Sequence, residues 1–172
     1  MMQGLQAMKD SAALLVYWDG EASDISWPEP CIVEYVTNGQ GGINSMSKEA
    51  VNAMIADQDM SVHDLISIGN IRKKYPPQTS TEKTVMQTVI GDMMSVYPSE
   101  SYGIIFGSHG SGWLPTITGT RSIGQDGGRY SSDTALIPEL AEVLRTVNPQ
   151  KFDFVLFDAC MMGCAEVYYE LK

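Results

Sequence analysis

The sequence predicts an α/β fold: a mostly parallel sheet with helices on both faces. Two observations carry this. Short runs that are apolar on both faces, AALLVYW at 12–18, YGIIF at 102–106 and FDFVLF at 152–157, are too brief for helices, and YGIIF is too β-branched as well. Between them lie stretches whose apolar residues return at helical spacing. The length of 172 residues predicts one domain, able to bury roughly 70% of its unfolded surface.

The elements follow in order. Leu5 and Met8, three apart, predict a helix over the first ten residues. The run 12–18 ends at the turn pair Asp19-Gly20 and reads as a buried strand; CIVEYVT at 31–37, closed by Asn38-Gly39, reads as another. A Gly/Asn/Ser loop leads to a helix from Ser47 to about Gln58. Residues 61–75 give no clear period before Pro76-Pro77 ends them. The clearest helix runs from Thr79 to Tyr97: Thr79 and Glu82 have capping-box spacing, Val85, Val89 and Met93 and the pair Ile90, Met94 recur helically, and Pro98 stops it. The strand 102–106 opens onto GSHGSGW and a Gly/Thr/Ser-rich loop covering about 107–133. Ala135–Val147 is a second helix, with Leu136, Leu140, Val143, Leu144 and Val147 on one side and Asn148-Pro149 as its stop. The strand 152–157 follows, and Gly163–Leu171 reads as a final helix.

Composition narrows the function. Apolar residues make up 44% and charged residues 19%, as in globular chains. A net charge of −10 argues against nucleic acid or an anionic membrane as partner, since phosphate binding needs clustered Lys and Arg. Three cysteines, Cys31, Cys160 and Cys164, are too few for a disulfide framework. No apolar run approaches the ~18 residues of a transmembrane segment, and MMQGLQAMKD lacks the pattern of a signal peptide.

In α/β sheets, catalytic groups sit beyond the carboxyl ends of strands, which points to 107–113 and 158–163. His109 follows one strand and Cys160 another. If those strands are neighbours, about 4.8 Å apart, the two side chains can act as a nucleophile and its base. Gly107, Gly110 and Gly112 flank the histidine and would let a substrate approach the backbone. The N–H groups of Gly110 and Cys160 could form an oxyanion hole. A helix starting after the thiol would favour its ionised form.

Other readings use the same residues. A cysteine after a buried strand is usually a small core hydrophobe, and Asp158 could simply cap the last helix. His109, Asp158, Cys160 and Cys164 could ligate a metal, but a C-x3-C pair without a second pair argues against structural zinc. The glycines match neither a dinucleotide fingerprint nor a P-loop. His63 reads as structural or exposed, Cys31 as core, and Trp113 as cleft lining or loop packing.

SHGSGW after a strand and FDACMMGCAEVYYEL about fifty residues later resemble the clostripain family of cysteine peptidases, in the caspase-like group. TRSIGQDGG at 120–128 is similar as well, and the match is clearest over 98–172. The resemblance implies a caspase-like sandwich and an endopeptidase cutting after Arg or Lys. His109 resembles the general base, Cys160 the nucleophile, and Asp158 the acidic residue of the S1 pocket. A carboxylate there gives an arginine a charge-assisted, bidentate partner. The family activates itself by cutting between His and Cys, which makes Arg121 and Arg129, in the 116–133 loop, candidate autocleavage sites. Some members need calcium; the sequence has no EF-hand-like loop, so no metal ligands are assigned. The resemblance further implies a secreted or bacterial cell-surface enzyme acting on protein or peptide substrates.

Family members open with an additional strand and run on well past the nucleophile, whereas this chain begins within the first helix and ends at Lys172. It therefore reads as the N-terminal portion of one peptidase domain, incomplete at both ends, with the rest of its polypeptide as partner and Lys172 as a cleavage point or a mere boundary. Two other functions compete. An inactive caspase-like binding or adhesion module is disfavoured by the intact His109, Cys160 and Asp158. A flavodoxin-like binding domain needs a phosphate cradle after the first strand, where DGEASDISWPEP is acidic and glycine-poor.

Overall fold

The computed structural model describes residues 12–19, 29–57, 60–112, 122–126, 133–148 and 152–172. The helix expected over the first ten residues lies outside them. The chain divides into two compact units, Met1–Pro77 and Gln78–Lys172.

In the first unit, β1 (Ala13–Trp18), β2 (Cys31–Val36) and β3 (Asn70–Lys74) form a sheet in that order. Both pairings are antiparallel, so the parallel arrangement expected of the sheet does not extend to these strands. The reason lies in β2. Cys31, Ile32, Val33 and Tyr35 are all buried, because β2 is the central strand and is covered on both faces. A central antiparallel strand then has the same two-faced apolar composition as a parallel one. Burial also pushes the Cys31 thiol pKa up, as its core assignment anticipates.

Two helices connect β2 to β3. Helix α1 (Lys48–Ala56) starts where Ser47 Oγ accepts the Ala50 N–H, close to expectation. Helix α2 (Val62–Ile68) and β3 resolve the segment 61–75 that shows no period. Ser61 and Asp64 form a reciprocal capping box, and those hydrogen bonds hold the Asp64 carboxyl below its usual range. The chain breaks at Gly69, where a Cβ would lie 2.1 Å from Val33 Cγ1. All five residues of β3 are exposed, so no alternation marks it. His63 is exposed on α2.

Tyr35 ties this unit together. Its buried hydroxyl donates to the Leu65 carbonyl at 2.8 Å and accepts from Trp18 Nε1 at 3.4 Å.

In the second unit, α3 (Lys83–Val96) precedes β4 (Gly103–Gly107), β5 (Ser122–Asp126) and β6 (Asp133–Leu136); α4 (Ile137–Val147), β7 (Phe154–Asp158) and α5 (Ala165–Leu171) complete it. Strands β4 and β7 pair in parallel, and β5 and β6 in antiparallel. Three expectations need correction. Helix α3 begins four residues later than Thr79: the Thr79 carbonyl accepts the Glu82 N–H in a turn, and Glu82 caps the helix without a side-chain bond. The loop assigned to 107–133 contains β5. Helix α4 starts at Ile137 with Pro138 in its first turn, where proline's missing N–H costs nothing, and the residues before it extend as β6.

The core gathers Ile90 from α3, Leu140, Val143 and Leu144 from α4, Val167 from α5, and Ile123 and Met162. Each fully buried aliphatic side chain contributes about 1.5–3 kcal/mol over exposure. Ile104, Phe106, Val155 and Phe157 lay one face of the parallel pair on this core, with the rings of Phe106 and Phe157 stacked at 5.6 Å. The opposite face carries Ile105, Phe154 and Leu156, all exposed.

Tyr35→Phe is expected to destabilise the first unit by about 1–2 kcal/mol through the loss of a buried hydrogen bond. A lower urea midpoint with unchanged slope is the expected reading.

Candidate active site

The parallel ladder fixes the site. Its register pairs Gly103 with Phe154, Ile105 with Leu156 and Gly107 with Asp158. One more rung follows, the Ser108 N–H donating to the Asp158 carbonyl at 3.3 Å. His109 and Cys160 each lie two residues past the Gly107–Asp158 pair. The two expected residues therefore leave adjacent strands, about 4.8 Å apart, at the same level. Both are exposed. Among the described residues neither side chain has a hydrogen-bond partner, so both are open to a substrate.

Strand β5 holds the histidine loop. Gly124 N–H donates to the His109 carbonyl at 2.8 Å, and Ser111 N–H donates to the Ser122 carbonyl at 3.0 Å. These bonds flank the antiparallel bridge between Gly110 and Ile123. In such a pair the two central residues do not bond to each other, so the N–H of Gly110 points away from β5. Ser111 Oγ adds a third fastening by accepting the Ser122 N–H at 3.0 Å. The sequence does not reveal Ser111, Ser122 and Gly124 as positioning residues. Their one signal is Ile123, a single apolar residue among Ser and Gly.

Two of the three glycines, Gly110 and Gly112, make room for the turn that follows Cys160. A Cβ at Gly110 would lie 2.6 Å from the Cys160 carbonyl oxygen, and one at Gly112 would lie 2.1 Å from that of Met161. Gly112 and Met161 both have positive φ, +58° and 60°. The αL conformation at Met161 costs a non-glycine residue on the order of 1 kcal/mol. Met161 is exposed while Met162 is buried in the core and anchors the turn.

Helix α5 begins at Ala165, with Cys164 as its N-cap and no side-chain capping bond. The helix expected over Gly163–Leu171 therefore starts two residues later, and the turn Met161–Gly163 separates its N-terminus from the Cys160 thiol. Asp158 is not its cap. The Asp158 carboxylate is exposed and has no hydrogen-bond or ion-pair partner among the described residues, which frees it for a ligand. Cys160 and Cys164 are free thiols. Among the described residues no group of three or more His, Cys, Asp or Glu is placed to hold a metal ion, and the four residues of the metal reading do not form one. Trp113, Arg121 and Arg129 lie outside the described residues.

Gly112→Ala is expected to cost more than about 2 kcal/mol, because αL strain adds to the clash with the Met161 carbonyl. Gly163→Ala, where a Cβ meets nothing within 4 Å, is expected to stay within about 0.5 kcal/mol. Thermal unfolding of the two variants checks the pair.

The family model of the clostripain family matches residues 1–172. The chain is similar, at 30% identity and a TM-score of 0.63, to a secreted C11 cysteine protease from Bacteroides thetaiotaomicron solved with an irreversible peptide inhibitor. It shares the fold of an inactive zymogen C11 protease from Parabacteroides distasonis, at 24% identity and a TM-score of 0.63. Each likeness covers 99% of this chain and 38% of the other, so the chain spans well under half the length of either structure. None of the curated proteins matches it.

Proposed function

The chain belongs to the clostripain family of cysteine proteases, and from that premise we propose that it carries the catalytic centre of an endopeptidase that cleaves after Arg or Lys. Cys160 is the nucleophile and His109 the general base, within a single peptidase domain of which this chain is part. The shared level of the two residues, two past the Gly107–Asp158 register pair, carries the reading.

The chemistry follows from the placement. His109 takes the proton of the Cys160 thiol, and Sγ attacks the scissile carbonyl carbon. The N–H groups of Gly110 and Cys160 receive the developing oxyanion. The tetrahedral intermediate collapses as the C–N bond breaks, and the imidazolium gives its proton to the leaving amine. A water then loses a proton to His109 and attacks the thioester, releasing the new carboxylate and restoring the thiol. The free Asp158 carboxylate selects the basic side chain by a charge-assisted hydrogen bond. Some family members need calcium, but no donor set for it exists among the described residues and no step here runs through a cation. The same reading makes the protein a secreted or bacterial surface enzyme that matures by cleavage after Arg121 or Arg129.

Two fluorogenic peptides differing only in Arg against Asp before the cut test the activity in the intact protein. Cleavage of the Arg peptide alone is expected, falling at least about 10³-fold in Cys160→Ala. Equal cleavage of the Asp peptide would remove Asp158 from its role. Mass spectrometry of the purified protein checks maturation: a cut after Arg121 or Arg129 is expected in the wild type and none in Cys160→Ala. Full activity from an uncut loop would overturn it.

A further inference from the structure

The face of the parallel pair that is not packed on the core has three rungs, each occupied differently. At the first, the Phe154 ring lies over Gly103, so that a Cβ there would meet ring carbons at 2.1 Å. At the second, Ile105 and Leu156 stand side by side, both exposed. At the third, Asp158 faces Gly107, and a Cβ on Gly107 would meet nothing within 4 Å. Two of the rungs are filled by their own side chains. Among the described residues, the third leaves an open slot beside a carboxylate with no partner.

We propose that Gly107 is a specificity-determining residue: its missing side chain forms the slot through which a basic substrate side chain reaches Asp158. This rests on the reading of Asp158 given above and adds the second wall of its pocket. The dimensions agree. Cys160 stands two residues past Asp158, about 6.6 Å along the strand. A lysine stem of four carbons carries its ammonium about 6 Å from Cα. A side chain on the residue whose carbonyl Cys160 attacks, running back along the strands, ends at the level of Asp158. On the β4 side that path crosses position 107. Ile105 and Leu156 on the next rung close the slot with apolar side chains, so a longer or uncharged side chain gains no polar partner there. A planar guanidinium is wider than an ammonium, and fills more of the space that glycine leaves.

Gly107 is a favourable place for a test. No positive φ holds it, its Cβ would clash with nothing, and β-branched residues suit a strand. Steady-state kinetics of the intact protein, wild type against Gly107→Ala and Gly107→Val, with paired Arg and Lys peptides, reads the effect. Alkylation of Cys160 by iodoacetamide serves as a measure of the nucleophile alone. Gly107→Val is expected to raise KM at least about 10-fold on both peptides while alkylation stays within about twofold. Gly107→Ala is expected to move the Arg-to-Lys preference several-fold toward Lys. Unchanged KM and preference in both variants would overturn the proposal, as would a loss of cleavage matched by an equal loss of alkylation. A wild type that cleaves neither basic peptide while its thiol alkylates would instead sink the Asp158 reading, and this one with it.

Discussion

The parallel ladder between β4 and β7 is the constraint on which the rest depends. Its register is set by side chains that have nothing to do with chemistry. Ile104, Phe106, Val155 and Phe157 must all face the core together, and a slip of one residue in either strand would turn that strand's own pair outward. The same register brings the ends of both strands to one level, so His109 and Cys160 each follow the same rung by two residues. Packing on one face thus determines alignment at the edge. The loops beyond the edge are then fixed by backbone contacts: β5 on the histidine side, and the close seat of Cys160 and Met161 against Gly110 and Gly112 on the other.

Much of this was readable in the amino-acid sequence because the relevant signals were strong ones. The runs around 104 and 155 are short, apolar and bounded by turns, and in α4 Leu140, Val143 and Leu144 are buried as the spacing implies. His109 and Cys160 could be singled out because each follows such a strand. Strand β3 was not readable, since NIRKK is exposed along its whole length and alternates nothing. Strand β5 was hidden for a different reason. Its Ser and Gly residues look like loop, and the ladder that makes it a strand is formed with β6, a separate segment of the chain. Pairing direction was hidden as well: burial of β2 on both faces said that it is central, not which way its neighbours run.

The glycines of GSHGSG illustrate how composition underdetermines role. Three of them flank one histidine, and a single explanation, access to substrate, would seem enough. The geometry separates them. Gly110 and Gly112 are filled against the backbone carbonyls of Cys160 and Met161, while Gly107 opens on free space beside a carboxylate. Two glycines are there for a neighbour inside the fold and one faces outward, a distinction that no count or spacing carries.

Strand β5 has one more consequence. It begins at Ser122, directly after Arg121, and every hydrogen bond that fastens the His109 loop to it is made by Ser122 or by residues after it. Hydrolysis of the bond after Arg121 would therefore sever the chain while the backbone bonds from Gly124 to His109 and from Ser111 to Ser122 stay in place, the Ser122 nitrogen becoming a terminal amine. His109 would end up on one polypeptide and Cys160 on the other, joined through the β4–β7 ladder and the shared core. Such a nicked molecule would be a two-chain protein by electrophoresis under denaturing conditions and a single particle in native solution, coming apart by unfolding and not by dilution.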